Sequence, residues 1–311
     1  MKIIRPIFLL YVATFIFSCG SKSPELRDKP TVVCTTTMIY DAISQIFDST
    51  INVSTLIKAG VDPHTYKATA GDLKKIKNAD VVIYNGLHLE GKFSEILDEL
   101  HRRGKAIPVA RYVKKENLIF TSENVPDPHI WFEIPLWQLA IRHTIDEMLN
   151  RFKERLTSEQ FEFIQQNAEK YFLELTEVHH EALRLLGVIP SEQRVVITAH
   201  DAFNYFGRTY SIEVIGLQGI STASEHGLKD IIDMIHLIVK RRIPAIFVET
   251  TVSEKTVRAV IEGCASKNHF IRLGGMLYSD ALGPESSGHH TLAGAFRHNV
   301  YQIYNSLNQA P

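Results

Sequence analysis

The polar and apolar positions along the chain fall into two alternating patterns. Thr31 to Thr37 is a β-branched run that predicts a buried strand. Helical spacing follows from Met38 to Phe47, then a second strand from Ile51 to Leu56. Thr69 to Asn78 reads as a helix, Asp80 to Asn85 as a third strand ending at Gly86, Phe93 to Arg103 as a helix and Lys105 to Val109 as a short strand. Strands separated by helices predict a mostly parallel sheet with helices on both faces. Pro135 to Leu149 is again helical.

A longer pattern comes next. Thr157 and Gln160 stand at capping-box spacing. Ile164, Ala168, Tyr171, Phe172, Leu175, Val178, Ala182 and Leu185 then recur at steps of three and four. No Gly or Pro interrupts Ser158 to Leu186, so one helix about 43 Å long is expected. Gly187 and Pro190 end it. The strand–helix pattern then restarts. Strands are expected at Arg194 to Thr198, within Tyr210 to Leu217, at Ala245 to Glu249 and at Phe270 to Gly274. Helices are expected at Leu228 to Lys240, Glu254 to Ala265 and Thr291 to Leu307. The expected fold class is α/β: two lobes, each with a mostly parallel sheet flanked by helices, joined by one long rigid helix. The expected lobes are residues 31–150 and 190–311, with the connecting helix over 151–189.

The first thirty residues follow neither pattern. Lys2 and Arg5 precede the apolar run Ile7 to Phe17, and Ser18, Cys19 and Gly20 are small. That is the layout of a secretory signal. The apolar run spans about 16 Å as a helix, short of a bilayer core of about 30 Å. A cysteine at its end is similar to the lipobox of bacterial lipoproteins, with Ile16 at the usual Leu position. Residues 1–18 are therefore expected to be a lipoprotein signal peptide, Cys19 the lipidated residue and 19–30 a polar tether. An ordinary signal peptide with an incidental cysteine is the alternative.

Composition narrows the function. Hydrophobic residues make up 45% of 311 residues and charged residues 22%, enough to bury a core. The formal charge is −1, and it would be −3 without Lys2 and Arg5. No basic excess is present to hold a nucleic-acid backbone. Three cysteines are too few for a disulfide scaffold. Cys34 and Cys264 sit in apolar runs, so buried free thiols are expected, although an oxidising compartment would permit a bridge.

The candidate chemistry lies in the loops. Asp62-Pro63-His64 and Asp127-Pro128-His129 repeat one tripeptide in the first lobe. Pro restricts the backbone before each His, and Asp can bond nearby backbone N–H groups. In the second lobe His200 follows the first strand and Asp280 follows the last. Loops at the C-terminal ends of parallel strands are where ligands sit. Three imidazoles and one carboxylate, if they converge, suit Zn²⁺ and can also take Mn²⁺. Glu249, Asp62 and Asp127 are candidates to support those ligands from behind. No His-Glu-x-x-His is present, and four protein ligands leave no open position, so an enzyme is not expected.

Here the chain resembles a known family, the cluster A-I (cluster 9) solute-binding proteins of ABC transporters, the TroA/ZnuA-like metal-binding lipoproteins. The resemblance rests on Gly60 to Tyr66, Tyr84 to Glu90, Asp127 to Trp131, Thr198 to Phe203, Gly216 to Thr222 and Tyr278 to Gly283. It implies metal ligands at His64, His129, His200 and Asp280, with zinc or manganese as cargo. It implies an ABC permease with its cytoplasmic ATPase as partner, a lipid anchor in the membrane, and a periplasmic or extracellular location. A monomer that binds no nucleic acid is expected. Some manganese-binding members have Glu where this chain has His200. No His-rich loop stands between Leu89 and Pro126. A metal-stabilised surface adhesin is the alternative function. Among the remaining histidines, His88 is expected to support its loop, His179 and His180 to face water, and His289 and His290 to lie in a flexible loop able to capture metal in passing.

Overall fold

The computed structural model describes residues 28–121, 124–223 and 227–308. The expected signal peptide, Cys19 and most of the tether lie outside the described residues. Among the described residues, no helix is long and apolar enough to cross a membrane.

The first half folds as β1 (Thr31–Cys34), α1 (Thr37–Phe47), β2 (Asn52–Thr55), α2 (Ala70–Asn78), β3 (Val81–Tyr84), α3 (Ser94–Arg102) and β4 (Ala106–Pro108). Helices α4 (Ile134–Phe152) and α5 (Ser158–Gly187) follow. The second half runs β5 (Val195–His200), α6 (Asn204–Tyr210), β6 (Glu213–Gln218), α7 (Leu228–Arg241), β7 (Ala245–Glu249), α8 (Lys255–Ala265), β8 (Arg272–Leu277) and α9 (Leu292–Leu307). The strands form two four-stranded sheets, ordered β2-β1-β3-β4 and β6-β5-β7-β8, and every pairing is parallel. Both sheets thus have the same topology, with the chain reversing direction across the sheet between their two central strands.

The period-two pattern of the strands sorts side chains between faces. Val33, Val82 and Tyr84 pack outward with Ile76 of α2 and Leu97 of α3. Val32, Cys34, Val81 and Ile83 face inward. In the second sheet Ile197, Ile246 and Val248 pack outward with Ile235 and Ile238 of α7 and Val257 and Val260 of α8. The inward residues of both sheets join one continuous core with α1, α4, α5, α6 and α9. Helix α5 is the spine of that core, packed on α1, α4 and α9. Its capping box forms as the spacing requires: Gln160 N donates to Thr157 Oγ1 at 3.2 Å, and Thr157 N to Gln160 Oε1 at 2.9 Å. Its buried stripe ends on Leu186, with Leu185 only half-buried. At the junction of the lobes the ring of Phe132 meets that of Phe203 at 4.3 Å, and Phe206 meets Phe296 at 5.6 Å between centroids.

Three local expectations need correction. The last strand is Arg272–Leu277 rather than Phe270 to Gly274. Phe270 is exposed, and the strand continues through Gly274 and Gly275, where its pairing with β7 shifts register between Ile246 and Phe247. Helix α6 was not expected. His179 is half-buried, with Nδ1 2.9 Å from the Tyr210 hydroxyl, so only His180 of that pair faces water. Cys34 and Cys264 are both buried and free.

Candidate metal centre

Two stiff loops supply the first-lobe side. Asp62 Oδ1 accepts the His64 N–H at 2.8 Å, and Asp127 Oδ1 accepts the His129 N–H at 2.9 Å. In each the carboxylate closes over the proline and fixes the main chain of the histidine two residues on. The second-lobe side comes from strand ends. His200 is the last residue of β5, Glu249 the last of β7, and Asp280 lies three residues beyond β8.

The structure brings His64, His129, His200 and Asp280 together. One donor atom from each lies within 4.8 Å of all the others. His64 Nε2 is 3.3 Å from His129 Nε2. Asp280 Oδ1 is 3.3 Å from His129 Nε2, and Oδ2 is 3.1 Å from His200 Nε2 and 3.8 Å from His64 Nε2. Donors about 2.0–2.2 Å from a shared ion in a tetrahedron stand roughly 3.3–3.6 Å apart. All four residues are buried, none more than 4% exposed. Neither Asp280 oxygen nor His200 Nε2 has a partner in hydrogen-bonding geometry. Buried polar atoms left so are costly, and a cation at their common focus would satisfy all of them.

Carboxylates stand behind two of the imidazoles. His129 Nδ1 is 2.7 Å from Asp127 Oδ1, and His200 Nδ1 is 2.5 Å from Glu249 Oε2. Glu249 Oε1 also accepts the His200 N–H at 2.9 Å. The bond to Asp127 sets the tautomer that turns His129 Nε2 inward, and the Glu249 charge lies close behind His200. Burial opposes charge on His129, yet Asp127 and Asp280 carry its pKa up to about 9. Burial likewise opposes charge on His200, and Asp280 and Glu249 still hold it well above the ordinary histidine value. Burial pushes His64 down to about 4, with Asp280 only partly offsetting it. Burial would raise Asp280, but His200 and His129 keep it well below the carboxylate range. The site therefore holds an ionised carboxylate among imidazoles of unequal basicity.

Several residues around the centre were not singled out from sequence. Asn204 Nδ2 donates to Asp127 Oδ2 at 3.0 Å, and Tyr205 Oη donates to the Asp127 carbonyl at 3.0 Å. Thr222 Oγ1 donates to Asp62 Oδ2 at 2.6 Å. Trp131 Nε1 donates to the Ser279 carbonyl at 3.0 Å, next to Asp280. Behind the first-lobe loops, Glu90 is fully buried and accepts from Thr35 Oγ1 at 2.8 Å and Asn85 N at 2.7 Å. Asn85 Nδ2 in turn donates to the Pro128 carbonyl at 3.0 Å, just before His129. Asn85 and Glu90 lie in a stretch that carried the family resemblance, but the string alone assigns them no contact. His88 is exposed in a left-handed turn, and its carbonyl accepts the Gly91 N–H.

Comparison with known proteins places the whole chain in one family. The model of the family described as "ZnuA: Zinc-uptake complex component A periplasmic" matches residues 32–306. The manganese-binding lipoprotein MntA of Bacillus subtilis (strain 168) is 39% identical over 302 residues, covering 96% of this chain and 97% of that one. The zinc-binding protein TroA of Treponema pallidum (strain Nichols) is 36% identical over 295 residues, 94% of each chain. The solved structure of the periplasmic zinc-binding protein TroA from Treponema pallidum superposes with a TM-score of 0.85 at 35% identity, covering 90% of this chain and 99% of that one. Fe(III)-bound YtgA from Chlamydia trachomatis superposes with a TM-score of 0.80 at 26% identity, covering 90% of this chain and 99% of that one.

Proposed function

The chain belongs to the ZnuA/TroA family of non-enzymatic, metal-binding solute-binding proteins of ABC transporters, and from that premise we propose that it is the extracytoplasmic receptor of a zinc or manganese importer. His64, His129, His200 and Asp280 coordinate the ion between the lobes, and the loaded protein delivers it to the membrane permease. Residues 31–150 and 190–311 act as the two lobes and 151–189 as their connector. Cys19 carries the lipid that anchors the receptor as a monomer. The observation that carries this reading is the buried convergence of three imidazoles and one carboxylate whose oxygens lack hydrogen-bonding partners.

The capture step is coordination. The carboxylate of Asp280 supplies the negative charge, and the imidazoles bind as neutral ligands after losing their protons. An N/O donor set of this kind holds Zn²⁺ more tightly than Mn²⁺. The intrinsic order is therefore zinc above manganese, and the ion carried in the cell follows availability.

The test is metal content. Metal-stripped protein offered Zn²⁺ and Mn²⁺ together, then desalted, is expected to retain one tight equivalent by mass spectrometry, mostly zinc. His64→Ala and Asp280→Ala are expected to lose it. Retention unchanged in both variants would overturn the assignment. Stripping should leave a folded protein, because the shared core is apolar and independent of the ion. Unfolding on stripping would instead favour a metal-stabilised adhesin.

A further inference from the structure

Beyond the four converging ligands, an outer pair of imidazoles packs against Tyr278, two residues before Asp280. His289 lies in the segment before α9, and His298 lies two turns into that helix. Their ring centroids are 4.6 Å apart. Tyr278 closes a third side, with its ring 5.4 Å from His289 and 5.2 Å from His298. Both histidines are half-buried and so reachable from solvent.

One ring nitrogen of His298 is already committed. His298 Nε2 is 2.9 Å from the Met276 carbonyl, so it carries the proton and leaves Nδ1 a lone pair. An imidazole tied by one N–H to a main-chain carbonyl is the arrangement found behind metal-bound histidines. Burial and the neighbouring His298 lower the His289 pKa, which keeps that ring neutral. The backbone under the pair is fixed: Gly283 N donates to the His289 carbonyl at 2.8 Å, and Ser287 Oγ accepts the His289 N–H at 3.1 Å. In the main centre the imidazole centroids stand 5.4–5.9 Å apart. The outer pair thus needs to open by only about 1 Å to reach the imidazole spacing of the main centre.

We propose that His289 and His298 form a second, weaker site for a borderline divalent ion, Zn²⁺ or Cu²⁺, completed by water. Two imidazoles without a carboxylate discriminate strongly against Mn²⁺. The two ions therefore differ in stoichiometry: zinc fills two sites and manganese one.

The test is equilibrium dialysis of tag-free, metal-stripped protein against Zn²⁺ from nanomolar to 100 micromolar, with Mn²⁺ in parallel. Two zinc equivalents are expected, the second in the micromolar range, against one for manganese. His289→Gln and His298→Gln should each weaken the second zinc equivalent at least tenfold and leave the first intact. His64→Ala should remove the tight equivalent and keep the weak one, so failure of the main centre and failure of the outer pair are told apart. With Cu²⁺ bound to His64→Ala protein, electron paramagnetic resonance should show two coupled nitrogens, reduced to one in His298→Gln. Zinc binding that stops at one equivalent overturns the proposal. So does a second equivalent that both Gln variants leave unchanged.

Discussion

The three imidazoles of the centre differ in what lies behind them. His129 is backed by Asp127 and His200 by Glu249, while Asp62 takes only the main-chain N–H of His64. In the metal-free protein His129, raised to about 9, and His200, held well above its ordinary value, are protonated at neutral pH. His64, lowered to about 4, is neutral. Metal must displace the protons, so uptake at pH 7.5 is expected to release more than one proton per ion in a weakly buffered titration. Affinity is expected to keep rising with pH up to about 9 rather than levelling above the ordinary histidine value near 6.5. The stability of the metal-free protein runs the other way. A raised histidine pKa stabilises fully below about 6.5 and loses that contribution as pH rises through about 9. The melting temperature of stripped protein should thus fall between pH 7 and pH 9.5 while that of the loaded protein does not. Equal melting temperatures of stripped protein at the two pH values would contradict this assignment. Glu249→Gln keeps the shape but removes the charge behind His200. It is expected to weaken zinc by about 10–100-fold, read by competition with a chelator, with the far-ultraviolet circular dichroism unchanged.

At the scale of elements, the turn after β3 holds both first-lobe loops in place. Gly91 has a φ of +51°, and a Cβ there would sit 2.1 Å from the His64 carbonyl oxygen. Gly91→Ala must push the His64 loop away, so a loss of zinc affinity of at least tenfold is expected along with lower stability. Gly104 also has a positive φ, +71°, but a Cβ there meets nothing within 4 Å. Gly104→Ala should lower stability by about 1 kcal/mol and leave metal affinity alone. Equal affinities in the two variants would show that the turn does not position His64. The elements most legible in the sequence are those with one strong periodicity. Helix α5 is legible because its apolar stripe runs unbroken between a capping box and a glycine. Strand β8 departs from its expected span because the Gly274-Gly275 pair reads as a strand end, whereas on a sheet edge it marks a register shift. Helix α6 is a short segment straight after a strand, too brief to show a period. The histidines and Asp280 were visible through loop position and family motif. Glu90 and Thr222 stand in matched stretches and Asn204 just past one, but their contacts were not legible, because their partners lie 55, 77 and 160 residues away.

For the molecule as a whole, the question is how far the lobes move when the ion binds. The centre is assembled across the lobe boundary, with ligands from both sides. The same boundary is crossed by polar contacts from Trp131 to Ser279, Tyr205 and Asn204 to Asp127, and Thr222 to Asp62. Near the start of α1, Thr37 Oγ1 accepts the Leu282 N–H at 2.8 Å and Asp41 Oδ2 accepts the Leu292 N–H at 3.0 Å. Beneath these contacts the core is continuous, with Phe132, Phe203, Phe206 and Phe296 in ring contact. Opening the lobes widely would expose that core to water, at roughly 25 cal/mol for each Å² of apolar surface. The spine adds a geometric limit. Helix α5 has 30 residues, a rod about 45 Å long, and a 5° tilt moves its far end by about 4 Å. Metal release is therefore expected to proceed by a small tilt with local loop motion, such as withdrawal of the Asp280 loop, and not by a wide hinge. Spin labels offer a direct measurement, because burial shields Cys34 and Cys264 from modification. In a Cys19→Ser background, labels at Lys77→Cys and Lys240→Cys report the distance between the outer helices of the two lobes. Zinc is expected to change it by less than about 5 Å, and a change above roughly 10 Å would require the shared core to split. In that case Phe206→Ala, which thins the core at the junction, should favour the open population. If the rigid reading holds, Phe206→Ala should instead lower stability by about 3–5 kcal/mol without altering the distance.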